Sequence, residues 1–270
     1  MSDSQPLETL RPDALTPAQI EAKAEDVGTA KAKMPAGKSF LLACMAGIFI
    51  GLGGSFMLLV KSDASLGFAA SALLGGLVFS LGLFLVVMAG AELFTGNSLM
   101  VCGRLSGRYD TRDLVRSWLV VYAGNLVGSL ALVALMALAN FGGMNGGAVG
   151  QTAVTVAAGK ASQPWLQVFG RGILCNLLVC LAVWMSFGAR TVVDKLCATT
   201  MPVIAFVAMG FEHCVANMYF LPFGMLCQGA GASIAWAGVL SNLTAATLGN
   251  LVGGVLLVGC SYWAAYAKRG

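Results

Sequence analysis

Polar and apolar positions are sharply segregated along this chain. Residues 1–38 form its only long polar stretch, and from Ser39 onward apolar residues run almost without a break. A helix needs about 20 apolar residues to cross a bilayer. Six segments reach that length, near residues 39–60, 68–102, 114–140, 165–188, 196–222 and 239–265. The second and fifth are unusual, because each carries a carboxylate and other polar residues in its middle or second half. The polar N-terminal stretch lacks the apolar core of a signal peptide. Thr16-Pro17-Ala18-Gln19 reads as a helix start: Thr16 can cap, Pro17 suits the first helical position, and Gln19 can close a capping box. An Ala-rich charged helix to about Met34 should follow. The expected organisation is therefore a tail, 1–38, with an amphipathic helix, and a transmembrane domain, 39–267. That domain divides into a first repeat at about 39–140 and a second at about 165–265.

Composition narrows the class. The 270 residues are 58% hydrophobic and 10% charged, and the mean hydropathy is +0.82. Soluble domains carry roughly a quarter charged residues, so a soluble enzyme and a disordered chain are both excluded. A scattered net charge of +4 does not suggest nucleic-acid binding. A single His rules out a multi-His metal site, and eight Cys without CxxC pairing read as small buried hydrophobes. No cofactor motif is present. Lys and Arg are distributed unevenly over the loops: thirteen fall in the tail, after the second and fourth segments and at the C-terminus, against Lys61, Lys160 and Arg171 on the other side. The positive-inside rule then places both termini in the cytoplasm; the expected location is the inner (cytoplasmic) membrane.

The two halves repeat each other. Gly90-Ala91-Glu92 followed by Asn97 has the spacing of Gly210-Phe211-Glu212 followed by Asn217, and Gly124-Asn125-Leu126-Val127-Gly128 matches Gly249-Asn250-Leu251-Val252-Gly253. With three segments per half, the copies must enter the membrane from opposite sides. An inverted repeat is an architecture of transport proteins, with sites near the midplane at interrupted helices. Non-helical backbone at that depth needs internal partners. Glu92, Asn97, Glu212 and Asn217 are read as support for the broken helices, because an unpaired carboxylate lining the path would repel an anion. His213 is read as a pathway residue, since an ionisable group inside a membrane is a functional candidate by default and an imidazole exchanges protons near neutral pH.

Those residues resemble the signature stretches of the formate/nitrite transporter family: Ala91-Glu92-Leu93-Phe94-Thr95 and Gly210 through Met218. The likeness extends through Trp118–Gly128, Asn176–Ser186 and Gly249–Gly253, over nearly all of 39–265. The Met185-Ser186…Arg190…Asp194-Lys195 loop is similar to the formate-channel branch, while Gly96-Asn97 also resembles the nitrite and hydrosulfide branches. The resemblance implies an all-α membrane protein of six transmembrane helices in two inverted three-helix repeats. It further implies an aquaporin-like protomer, broken helices 2 and 5, and a homopentamer with one pathway per protomer. It assigns Phe79, Leu83, Leu93, Phe94, Val179 and Phe206 to the constrictions. Thr95 and Asn176 become polar groups near the centre, and Lys160 a source of positive potential in the outer vestibule. By composition alone, Lys160 is an ordinary loop lysine, and the apolar residues are helix packing.

The function expected is transmembrane transport of small monovalent anions, formate first, with nitrite, hydrosulfide, acetate and lactate as further candidates. His213 would donate or relay a proton so that the neutral acid crosses the dry rings. The alternative is a nitrite or hydrosulfide channel without proton coupling. A membrane enzyme is disfavoured by the single His and the missing cofactor motifs, and a water or glycerol channel by the absence of paired Asn-Pro-Ala motifs.

Overall fold

The computed structural model describes residues 14–229 and 234–267. The expectations for residues 1–13, and the charges of Lys268 and Arg269, lie outside them. Thr16 accepts from the Gln19 backbone and the Gln19 side chain closes the capping box, starting α1 (Pro17–Ala32). After Pro35 come α2 (Ala36–Lys61), α3 (Phe68–Ala89), a 3₁₀ turn at Gly96–Met100 leading into α4 (Val101–Leu105), and α5 (Thr111–Leu138). The second half runs α6 (Ala148–Ala161), α7 (Trp165–Gly188), α8 (Val192–Ala208), α9 (Cys214–Cys227) and α10 (Trp236–Leu251). A π-helical stretch, Val252–Cys260, joins α10 to α11 (Ser261–Tyr266). The described residues contain no strand. Among the described residues, five helices are long and apolar enough to cross a membrane: α2, α3, α5, α7 and the continuous Trp236–Tyr266.

The chain around Lys160 is helical, not a loop. Val149, Ala153 and Ala157 are buried on one face of α6, which packs on α9. An Ala- and Val-rich stretch with four-residue spacing makes such a face without being long enough to span a bilayer.

Both interruptions begin at a glycine. Gly90 and Gly210 have φ of +80° and +68°, the left-handed conformation that closes a helix at low cost only without a Cβ. Two other pairs of glycines let helices meet. A Cβ on Gly128 would be driven into the carbonyl of Cys44, and one on Gly124 into Ala43, so α5 lies directly on α2. Gly249 and Gly253 face the carbonyls of Phe169 and Ile173 in the same way, seating the α10 segment on α7. Small residues four apart permit such close helix approach in a bilayer. The expected result for Gly253→Val is a loss of at least ~1–3 kcal/mol from overpacking against backbone that cannot move aside. Thermal melting of the detergent-solubilised protein reads this. Gly170→Val is the control, because nothing lies within 4 Å of its Cβ position.

The outer faces are apolar. Leu73 and Leu77 of α3, Leu119 and Leu135 of α5 and Leu166 of α7 are all exposed. Exposed apolar area on this scale suits a lipid or protein surround rather than water.

Candidate substrate pathway

The two breaks are held by the same device. In the first, Asn125 of α5 accepts from the backbone N–H of Phe94 (2.9 Å) and donates to the carbonyls of Ala43 (2.8 Å) and Glu92 (2.9 Å). In the second, Asn250 of α10 accepts from Cys214 N–H (2.9 Å) and donates to the carbonyls of Gly172 (2.8 Å) and Glu212 (2.9 Å). One amide thus ties a break to its neighbouring helix with three hydrogen bonds. This satisfies backbone groups that no water could reach. The repeated Gly-Asn-Leu-Val-Gly stretch thereby does two jobs, its glycines bringing helices together and its asparagine clamping the break.

The carboxylates are paired as well. Lys31 Nζ donates to both oxygens of Glu92 at 2.9 Å and to Asn97 Oδ1 at 2.8 Å, and Asn97 Nδ2 donates back to Glu92 at 2.8 Å. Lys160 Nζ donates to both oxygens of Glu212 at 3.0 Å, and Asn217 Nδ2 donates to Glu212 at 2.6 Å. Asn242 of α10 adds a donor to Glu212 at 3.3 Å and holds the Lys160 carbonyl at 3.1 Å. Each lysine is the second-last residue of a short helix, α1 or α6. α1 is fixed by Leu15 N–H on the Gly188 carbonyl (3.2 Å), by Arg108 on Glu25 (3.0 Å), and by Arg116 on the Ala32 carbonyl (2.7 Å). Sequence reading missed Lys31, Asn242 and the clamping role of Asn125 and Asn250. The asparagines carried a signal in the repeated motif. Lys31 carried none, because it lies 61 residues before its glutamate and Lys160 lies 52 before its own.

His213 is the N-cap of α9. Its Nδ1 accepts from Ala216 N–H at 3.1 Å, and its Nε2 lies 2.9 Å from Thr95 Oγ1. An accepting Nδ1 in a neutral ring places the proton on Nε2, so the imidazole donates to Thr95. His213 and Thr95, from different halves, meet in the buried centre at 3% and 0% exposure. Asn176 does not touch His213. It supports Thr95 from behind, donating to the Thr95 carbonyl (3.2 Å), Ser98 Oγ (3.1 Å) and the Asn250 carbonyl (2.6 Å).

One cavity reaches this pair at His213, and a second ends beside it at Leu93 and Gly96. One, of about 230 Å³, is lined by Lys160, Arg171, Phe79, Phe206, Phe220, Asn217 and His213. Phe206 stacks on the His213 ring with centroids 5.9 Å apart and meets Phe79 edge-on, also at 5.9 Å. The other, of about 300 Å³, is lined by Lys31, Glu92, Asn97, Leu93 and Val183. Leu83 and Val179 line neither and are buried in the apolar core with Leu93, Phe79 and Phe206. Phe94 lines neither cavity. Its ring sits edge-on to Tyr122 at 5.0 Å, in an apolar groove shared with Trp118 and Leu248. The reason is local: Asn125 holds the Phe94 amide, so the side chain turns toward α5. Among the described residues, no group of three His, Cys, Asp or Glu could hold a metal ion.

Apolar spans, clamped breaks and two lysine-bearing chambers on either face of a buried core fit a multi-pass membrane protein of the channel and transporter class. Residues 18–264 match the family described as formate/nitrite transporter, and the chain belongs to that family. It is 38% identical to the formate channel FocA of Escherichia coli K12 over 95% of this chain and 96% of that one. It is 37% identical to a probable formate transporter of Methanothermobacter thermautotrophicus, covering 94% and 98%. Among solved structures it resembles a pentameric formate channel with formate bound, with a TM-score of 0.77, 41% identity and coverage of 86% and 98%. An FNT family ion channel matches with a TM-score of 0.83, 30% identity and coverage of 92% and 98%.

Proposed function

We propose that this protein carries small monovalent anions, formate first, across the inner membrane through one pathway in each protomer of a homopentamer. The two halves act as inverted repeats, with both termini in the cytoplasm. The α1-side chamber then faces the cytoplasm and the Lys160 chamber faces outward. The observation that carries this reading is the His213–Thr95 pair: His213 lines one lysine-bearing chamber, and the residues flanking Thr95, Leu93 and Gly96, line the other.

The lysines raise the local anion concentration. Between the chambers, Phe79, Leu83, Leu93, Val179 and Phe206 form a dry neck. A bare charge there costs several kcal/mol in lost hydration. A proton removes that cost: imidazolium Nε2–H passes it to a formate oxygen, formic acid crosses, and the ring, left with its proton on Nδ1, regains the Nε2 proton from water in a chamber. Nitrite, hydrosulfide, acetate and lactate carry the same single charge and share the path.

One observation favours the second reading, a channel for nitrite or hydrosulfide without proton coupling. Ala216 N–H already occupies Nδ1. An imidazolium must release that cap, whereas a neutral ring keeps it and only donates a hydrogen bond. His213→Asn separates the two, because Asn can cap a helix but does not titrate. Under the relay, formate flux in the variant falls at least tenfold and loses its pH dependence. An unchanged pH profile would sink the relay and leave His213 a hydrogen-bond donor.

A further inference from the structure

The α1-side chamber holds more positive charge than the pathway uses. Lys31 is committed to Glu92 and Asn97. Lys23 of α1 and Lys195 of the first turn of α8 line the same cavity of about 300 Å³. Among the described residues, neither forms an ion pair. Glu92, which lines the same cavity, is taken up by Lys31, and three carboxylates of α1 and α8 are engaged elsewhere. Asp194 accepts from the backbone N–H groups of Thr191 (2.9 Å) and Arg190 (3.2 Å), and Glu25 and Asp26 face Arg108. Lys23 spends one donor on the Phe187 carbonyl at 2.8 Å, leaving two. Burial, and then the positive charges of Lys195 and Arg190, hold the Lys23 ammonium below its ordinary pKa. An anion seated between these groups would relieve that repulsion.

The chemistry selects a particular anion. A singly charged one can bridge two lysines but balances the charge of only one. A tetrahedral dianion presents oxygens to both at once, and lysine binds such groups as a point charge. A dianion also cannot be neutralised by one proton, so the dry neck stops it. We propose that Lys23 and Lys195 form a docking site for a doubly charged oxyanion of the phosphate and sulfate class, which plugs the α1-side mouth without crossing. The plugging consequence rests on the proposed transport role; binding does not.

Sulfate is the probe, because it stays doubly charged at working pH. Equilibrium dialysis of radiolabelled sulfate against the purified full chain should show saturable binding, weakened at least tenfold in Lys23→Ala/Lys195→Ala. Lys33→Ala, at the exposed end of α1, should bind as the unaltered protein does. Non-saturable binding, or binding indifferent to the double substitution, would overturn the site. In vesicles whose orientation is fixed by protease access to the N-terminus, sulfate on the α1 face should inhibit formate uptake, while sulfate on the other face at equal ionic strength should not. Saturable binding without inhibition would overturn the plug. Saturable binding in a protein that takes up no formate would keep the site and reject the transport reading.

Discussion

Asn250→Leu should remove most of the folded protein. Its side chain is fully buried, and leucine of similar size leaves Cys214 N–H and the carbonyls of Gly172 and Glu212 without partners. A buried polar group left unsatisfied costs ~1–3 kcal/mol, so three together approach the whole stability of an ordinary domain. The second break would lose its tie to α10, and His213, immediately before Cys214, would lose its position. Asn125→Leu should act alike on the first break, where Thr95 follows the clamped Phe94. The measurement is the melting temperature of the solubilised protein, with formate flux as a second readout. A variant that melts and transports like the unaltered chain would show that the breaks hold themselves.

Lys160→Met should be nearly as damaging, for a different reason. It strands the Glu212 carboxylate at 2% exposure with only amide donors. Removing one partner of a buried ion pair costs ~3–5 kcal/mol, mostly as the penalty on the charge that remains. Lys160→Met/Glu212→Gln removes both charges and keeps the Asn217 and Asn242 contacts within reach of an amide. The double variant should therefore recover most of the melting temperature. It leaves the chamber's net charge unchanged, so reduced uptake at low formate in the double variant would report Lys160 as a direct formate contact rather than a source of field. Equal stability of the single and double variants would mean that the pair is not the source of the cost, and normal uptake by the double variant would remove Lys160 from the pathway.

How much of this was readable beforehand differs by feature. The apolar runs stood out because helix length is set by the bilayer. The repeat stood out because both copies kept residue types and spacing. His213 and Thr95 were identifiable as candidates, one as the sole histidine and the other through family resemblance, but their 2.9 Å contact joins residues 118 apart. No periodicity reports a contact between two halves. Glu92 and Glu212 were read as support, and each is tied by a lysine and an asparagine. Motif position named Asn176 and Phe94 without their partners: Asn176 donates to the Thr95 carbonyl, and the Phe94 ring packs edge-on to Tyr122. Lys31 was hidden because the helix bearing it is polar and its pairing with Glu92 exists only once α1 docks.

On the proposed mechanism, His213 supplies a proton to a crossing anion. The direct test is formate uptake into vesicles carrying a lumenal pH dye, comparing the unaltered protein with His213→Asn. Proton-linked transport predicts lumen acidification in step with formate entry, and loss of both in the variant. Formate entry that follows membrane voltage with no pH change, and persists in the variant, would contradict it.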